Sequence, residues 1–224
     1  MKRKVELITG EHYHILTRSI AKFTVFRNDD DYQRMLRTFQ YYQIISSQLS
    51  LSQFLLSKPV QEHGFSSIFD CLARQSEKRV EIIAFCLMPT HLHLILKQLK
   101  TNGISTFMSQ LANSYTKYFN TKFKRIGSLL QGTFKSVRVE TDEQLIHVSR
   151  YIHINPVVAG IASKPEHYQW SSYTEYASDL SGYCSTNLIL NYFPSRKNYC
   201  KFVEDQIDYG KSLETIKHQL LEDE

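Results

Sequence analysis

No stretch of this chain approaches the ~18 consecutive apolar residues of a bilayer-spanning helix, so a membrane-embedded protein is not expected. Behind the basic start Met1-Lys2-Arg3-Lys4 there is no apolar run, which argues against a secretory leader. The four cysteines, Cys71, Cys86, Cys184 and Cys200, show no CxxC spacing. A thiolate zinc site or a disulfide framework is therefore not expected, and reduced thiols in a cytoplasmic protein are. No internal repeat is visible. With 42% hydrophobic residues in 224, the chain has enough apolar content for one sizeable core.

The most informative absence is of acid. Between Glu81 and Glu140 lie 58 residues without a single Asp or Glu, and that window carries eight Lys and Arg. Of the 27 basic residues, the remaining 19 face all 22 acidic ones elsewhere, so the whole net charge of +5 originates in this block. A local field of one sign attracts a polyanion, and nucleic acid is the commonest one; a solvated basic face without a partner is the bland alternative. Lys117, Lys122, Lys124, Arg125, Lys135, Arg138 and, just beyond, Arg150 are the candidate phosphate contacts.

Periodicity gives a coarse order of elements. "GEHYHILTRSI" alternates Tyr13, Ile15 and Thr17 against His12, His14 and Leu16, as a strand does. "NDDDYQRMLRTFQYY" opens with an acidic helix start and places Tyr32, Met35, Leu36 and Phe39 on one helical stripe. Residues 44–75 read as helix fragments in an excursion. "RVEIIAFCLM" and "HLHLILK", separated by Pro89 and Thr90, read as two strands in tight connection. A long amphipathic helix follows over 104–123, then a strand in "GTFKSVRVE". Thr141 begins a helix whose end is expected at Pro156. The order β-α-(excursion)-β-β-α-β-α predicts an α+β fold, a ferredoxin-like (RRM-like) antiparallel sheet backed by helices. Residues 1–177 are expected to form the functional domain, with 44–75 as an insertion and 178–224 as a helical extension.

Within "PTHLHLIL", His91 and His93 point to one face of a strand. Two neutral imidazoles side by side can hold a divalent cation, but an HxH alone is as easily a pair of ordinary sheet residues. The helix at 141–155 adds Tyr151 and Asn155 at i, i+4, one turn apart on a shared face. An amide oxygen from Asn155 is an acceptable hard ligand for Mg²⁺ or Mn²⁺, and a phenol beside such an ion could attack phosphorus. Spacing does not select Tyr151 among 14 tyrosines; Tyr115 and Tyr118 remain rivals. His12 and His14 repeat the HxH spacing without comparable company and are expected to be plain sheet residues.

"AFCLMPTHLHLILK" resembles the HUH motif (His, bulky hydrophobic, His) of the single-tyrosine HUH transposases, the IS200-like group. "GSLLQGTFKSVRVETDEQLIHVSRYIHINPVVAGI", the later "WSSY", "GEHYHILTRS" and "FRNDDDYQRML" resemble other blocks of that family, especially its REP-associated branch. The similarity spans roughly residues 8 to 177. Thr90 stands where the family often has Asn. By this resemblance His91, His93 and Asn155 would bind a divalent metal and Tyr151 would be the nucleophile. The substrate would be single-stranded DNA beside a hairpin, cut to leave a 5′-phosphotyrosine and a 3′-OH and then rejoined. Relatives act as monomers or as homodimers sharing the tyrosine helix, so both remain open. Work on DNA places such a protein in the cytoplasm, at the nucleoid. A domesticated, non-catalytic hairpin-DNA-binding protein is the alternative. A metallohydrolase with a water nucleophile would need carboxylates that the block lacks.

Overall fold

The computed structural model describes residues 6–45, 49–180 and 182–213. Four strands, β1 (His12–Arg18), β2 (Val80–Met88), β3 (His91–Gln98) and β4 (Lys135–Val139), form one antiparallel sheet in the order β2-β3-β1-β4. The order and the intervening helices give the ferredoxin-like arrangement expected from the sequence. Residues 89 and 90 alone separate β2 from β3, a length that only a tight hairpin satisfies.

Register divides the sheet into two faces. Leu92, Leu94 and Leu96 lie opposite Thr17, Ile15 and Tyr13, and all six are buried. Helices α1 (Asp29–Gln43) and α5 (Gly103–Lys122) pack against each other and against the sheet. Asn28 caps α1 by accepting the Asp31 amide, and Asp29 to Asp31 fill its first turn, where the helix dipole favours negative charge. The excursion folds into three short helices, α2 (Leu51–Leu55), α3 (Lys58–His63) and α4 (Phe65–Arg74). They enclose a separate apolar cluster of Leu51, Phe54, Val60 and Phe69 around Tyr41 and Ile44.

On the sheet's other face, Arg18, Leu16 and His14 lie opposite His91, His93 and Ile95. Helix α6 (Asp142–Val158) packs against β2 and β3 and covers it. Thr141 is its N-cap, accepting the Gln144 amide at 3.1 Å. Contrary to the sequence expectation, Pro156 does not end α6. It sits in the last turn, where the helix loses only one backbone bond, and the chain continues to Val158 before Gly160 turns away at φ +68°.

The chain after α6 folds back on the core. Residues 170–172 run along the outer edge of β2, with the Leu87 amide donating to Trp170 and the Ser172 amide to Phe85. That edge is thereby paired instead of open to another chain. Short helices α7 (Tyr173–Ala177) and α8 (Asn187–Leu190) precede α9 (Arg196–Glu204), and residues 207–213 are again helical. Helix α9 is tied to the back of α6 by a buried polar network. The His153 ring bonds Tyr199 Oη at 2.6 Å through Nδ1 and Ser172 Oγ at 2.8 Å through Nε2, while Tyr199 also donates to Ser149 at 3.1 Å. Among the described residues no helix is long and apolar enough to cross a membrane.

Removing the Tyr199 hydroxyl leaves His153 Nδ1 buried without a partner. Tyr199→Phe is therefore expected to cost about 1–3 kcal/mol, read as a lower urea midpoint with an unchanged m-value.

Candidate active site

Tyr151 and Asn155 project from α6 toward β3, where His91 and His93 rise from the sheet. All four line one cavity of about 400 Å³, together with Arg18, His147, Arg150 and Ile154. Tyr151 is 49% exposed, whereas His93 is only 3% exposed. The Tyr151 ring meets the His93 ring edge-on at 5.5 Å between centroids, and Asn155 Nδ2 lies 3.4 Å from His93 Nε2. His91 and His93 themselves stand 5.1 Å apart, nearly perpendicular. The imidazoles point away from the leucine-lined core, but they are covered by α6 and do not face open solvent.

His14 corrects a sequence expectation. It is not a detached sheet residue: its Nε2 lies 3.0 Å from His93 Nδ1, and the two rings stack at 5.3 Å. Tyr151 is 6.0 Å from it on another side. The HxH spacing on β1 was the visible signal; the antiparallel register that brings β1 beside β3 was not legible in that spacing. Arg18 was also missed. It ends β1 directly opposite His91, lines the cavity, and among the described residues its guanidinium makes no hydrogen bond or ion pair. The far wall is Gln206 and, from the helix over residues 207–213, Tyr209, Gly210 and Leu213. A Cβ on Gly210 would stand 2.7 Å from Val158 Cγ2, so only glycine allows this approach.

Burial strips water from the imidazoles and disfavours their charged forms. Burial, with His91, His14 and Arg18 nearby, pushes His93 down to about 3; burial and Arg18 push His91 down to about 4. Burial also lowers His14. Near neutral pH the rings are therefore uncharged, each with a lone pair available. Thr90 Oγ1 engages His91 Nδ1 at 3.0 Å, and His14 engages His93 Nδ1. Both Nε2 atoms are thus the ones left for a ligand, an orientation in which the second nitrogen is tied as in metal-binding imidazoles. Among the described residues no three His, Cys, Asp or Glu side chains gather as a metal cluster, and the side-chain amide beside His93 is that of Asn155. Rotating that amide by half a turn presents Oδ1 to the same space, an assignment left open by the hydrogen-bond geometry. Two neutral nitrogens and one amide oxygen fit a divalent cation that keeps other positions for water or phosphate oxygens.

The rival tyrosines lie elsewhere. Tyr115 is buried and donates to Val25 O at 2.6 Å, and Tyr118 donates to Asp31 at 3.0 Å. The basic candidates also separate. Arg150 lines the cavity, its guanidinium 4.3 Å from the Phe202 ring centroid. Lys135 lies on the same sheet face, opposite Leu16 in register. Lys122 pairs with Asp31 at 2.7 Å and Arg138 with Glu11 at 2.9 Å. Arg125 donates to Asn120 at 3.1 Å and to the Ser128 carbonyl at 2.8 Å. Lys124 is exposed at a left-handed turn with no ion pair among the described residues, and Lys117 lines a different cavity.

Comparison with protein-family models matches residues 8–155 to the family described as transposase IS200 like. Among solved structures, the chain is similar to a REP-associated tyrosine transposase bound to a REP hairpin, with TM-score 0.53 and 15% identity over 78% of this chain and 83% of that one. It also aligns with a Deinococcus radiodurans R1 protein assigned as a transposase, with TM-score 0.35 and 16% identity over 68% of this chain and 95% of that one. No curated protein matches the chain. At these identities the structural likeness is one of fold.

The imidazoles give the cavity a measurable signature. His91, His93 and the buried His153, also lowered to about 3 by burial, have folded-state values below the ordinary 6.5. Between that value and about 3 to 4 the unfolded chain binds more protons than the native one, so stability falls as pH falls. In chelator-treated protein the urea midpoint is expected to drop steadily from pH 7 to pH 4.5. A double variant His91→Gln, His93→Gln should flatten that slope.

Proposed function

The chain belongs to the IS200-like transposase family, and from that membership we propose that it is a DNA strand transferase, cutting and rejoining single-stranded DNA beside hairpins through a 5′-phosphotyrosine at Tyr151. The observation that carries this reading is the meeting of Tyr151 with His93 in one cavity that has no carboxylate among its lining residues, with the His14 ring against both. A half-exposed phenol can reach a phosphodiester from outside, while the neighbouring wall is buried and neutral. The similar REP-associated transposase is bound to a REP hairpin, which supports hairpin DNA as the partner.

The chain's own groups divide the work. Tyr151 Oη forms the bond to phosphorus, losing its proton, while the bond to the 3′ oxygen breaks and that oxygen leaves as the 3′-OH. Arg18 and Arg150 neutralise phosphate charge at the cavity. His14 fixes the tautomer and plane of His93 through Nδ1, as Thr90 does for His91. His91, His93 and Asn155 would hold a divalent cation, Mg²⁺ or Mn²⁺, whose chemistry is to polarise a non-bridging phosphate oxygen. The phosphotyrosine conserves the energy of the broken phosphodiester, so an incoming 3′-OH reverses the step without a nucleotide cofactor.

The test is a denaturing gel of the protein with labelled single-stranded DNA carrying hairpins, with and without Mg²⁺ or Mn²⁺. A covalent protein–DNA band that needs the cation and vanishes in Tyr151→Phe is expected. Binding without any adduct or cleavage would instead identify a non-catalytic hairpin-binding protein. His91→Ala should abolish cleavage while leaving hairpin binding within a few-fold; equal loss of both would overturn its role as a ligand. His14→Ala, which frees His93 Nδ1, is expected to weaken Mn²⁺ binding about 10–100-fold by titration calorimetry.

A further inference from the structure

A second cavity, of about 590 Å³, lies beside α5, bounded by that helix and by residues 128–134. Helix α5 contributes Ser109, Asn113 and Lys117, the loop contributes Gln131 and Phe134, and no acidic residue lines it. Thr17 reaches it from β1. This residue is only 5% exposed. Among the described residues Lys117 has no ion pair or hydrogen bond, although Lys100, Lys122 and Arg138 of the same acid-free block are paired with carboxylates.

The two cavities lie on opposite faces of the sheet at the end of one strand. Thr17 belongs to this groove and its neighbour Arg18 to the Tyr151 cavity. The loop that walls the groove is fastened to the same strand end, since the Gln131 amide donates to Arg18 O at 2.8 Å and Ser19 bridges to Leu130.

We propose that this groove seats an unpaired nucleotide of the DNA strand delivered to Tyr151. The apolar floor and Phe134 take the face of the base. Asn113, Gln131 and Thr17 offer both donors and acceptors to its edge, and Lys117 meets its phosphate. The chemistry discriminates among occupants. A metal ion would want carboxylates, which are absent, and a compact polyanion would want more than the one ammonium. A flat, hydrogen-bonding ring on a singly charged backbone matches what is there. The inference rests on the strand-transfer reading and extends it from the cut bond to the strand beside it.

The test uses the full chain and a fluorescein-labelled, unpaired oligodeoxynucleotide, read by anisotropy, alongside a blunt hairpin with no unpaired flank. Ser109→Trp, which fills the groove, is expected to weaken single-strand binding about tenfold or more, the scale of one lost base-stacking contact. Lys117→Ala should reduce the slope of log affinity against log salt by about 0.7, one phosphate contact on a single strand. Thr17→Val, nearly isosteric, should weaken single-strand binding several-fold with an unchanged thermal melt. Blunt-hairpin affinity stays within two-fold in all three. In the wild type, a 5-bromouracil-substituted oligonucleotide is expected to cross-link to residues 128–134. Wild-type single-strand affinity in all three variants, or cross-links confined elsewhere, would overturn the groove. Absence of a Tyr151-dependent adduct, with these binding effects intact, would instead overturn the strand-transfer reading alone.

Discussion

The site exists because α6 is clamped from behind. Its outer side is tied to α9 and residue 172 through His153, Ser149 and Tyr199, all buried. In a helix, residues two apart lie on different sides, so locking His153 inward against the tyrosines leaves Tyr151 and Asn155 facing the cavity. A polar clamp suits this position because its hydrogen bonds fix rotation about the helix axis, which an apolar contact would leave softer. The leucine-rich face of β3 then fixes the other half, since its burial under α1 and α5 forces His91 and His93 onto the α6 side.

Burial decides the electrostatics of what lies between. Imidazoles that a solvated strand would leave half-protonated near pH 6.5 are held neutral by desolvation and by one another. Neutral rings attract cations and do not repel them, while the positive charge at the cavity is carried separately by Arg18 and Arg150. The chain thus offers lone pairs and cationic donors side by side in one cleft without a carboxylate to compete for either. That combination suits a phosphodiester with an associated cation better than it suits a free metal ion or a free anion.

Much of the site was legible in the sequence, and what escaped it has a common physical cause. His91 and His93, and Tyr151 with Asn155, were readable because each pair lies within one element, where strand or helix geometry alone dictates a shared face. The ferredoxin-like sheet followed from the order of periodic segments. His14 and Arg18 depend on the pairing of β1 with β3, a contact across some eighty residues of chain that no local period encodes. Likewise, Pro156 reads as a stop because proline removes one backbone bond, but a proline in the final turn forfeits a single bond that packing of α6 against the sheet readily offsets. That Tyr151 lies beside the histidines while Tyr115 and Tyr118 do not was likewise visible only in the tertiary structure, since all three sit on helices.

Charge shows the same limit from the other side. The acid-free block signals a polyanion partner, but sequence counts cations without seeing where their partners come from. Asp31 reaches Lys122 from α1, Glu11 reaches Arg138 from the start of β1, and Glu77 reaches Lys100. Three of the block's eight cations are thus spent inside the fold on acids from outside the block, and Arg125 is held by neutral acceptors. Among the described residues those without an ion pair are separated from one another: Arg18 at the tyrosine cavity, Lys117 at the groove on the other face of the sheet, and Lys97, Lys124 and Lys135 elsewhere. A few separated cations touch a few phosphates, whereas a continuous basic face would bind any duplex along its length. The sparse arrangement favours a strand held at defined points, which a chemistry acting at one phosphodiester requires.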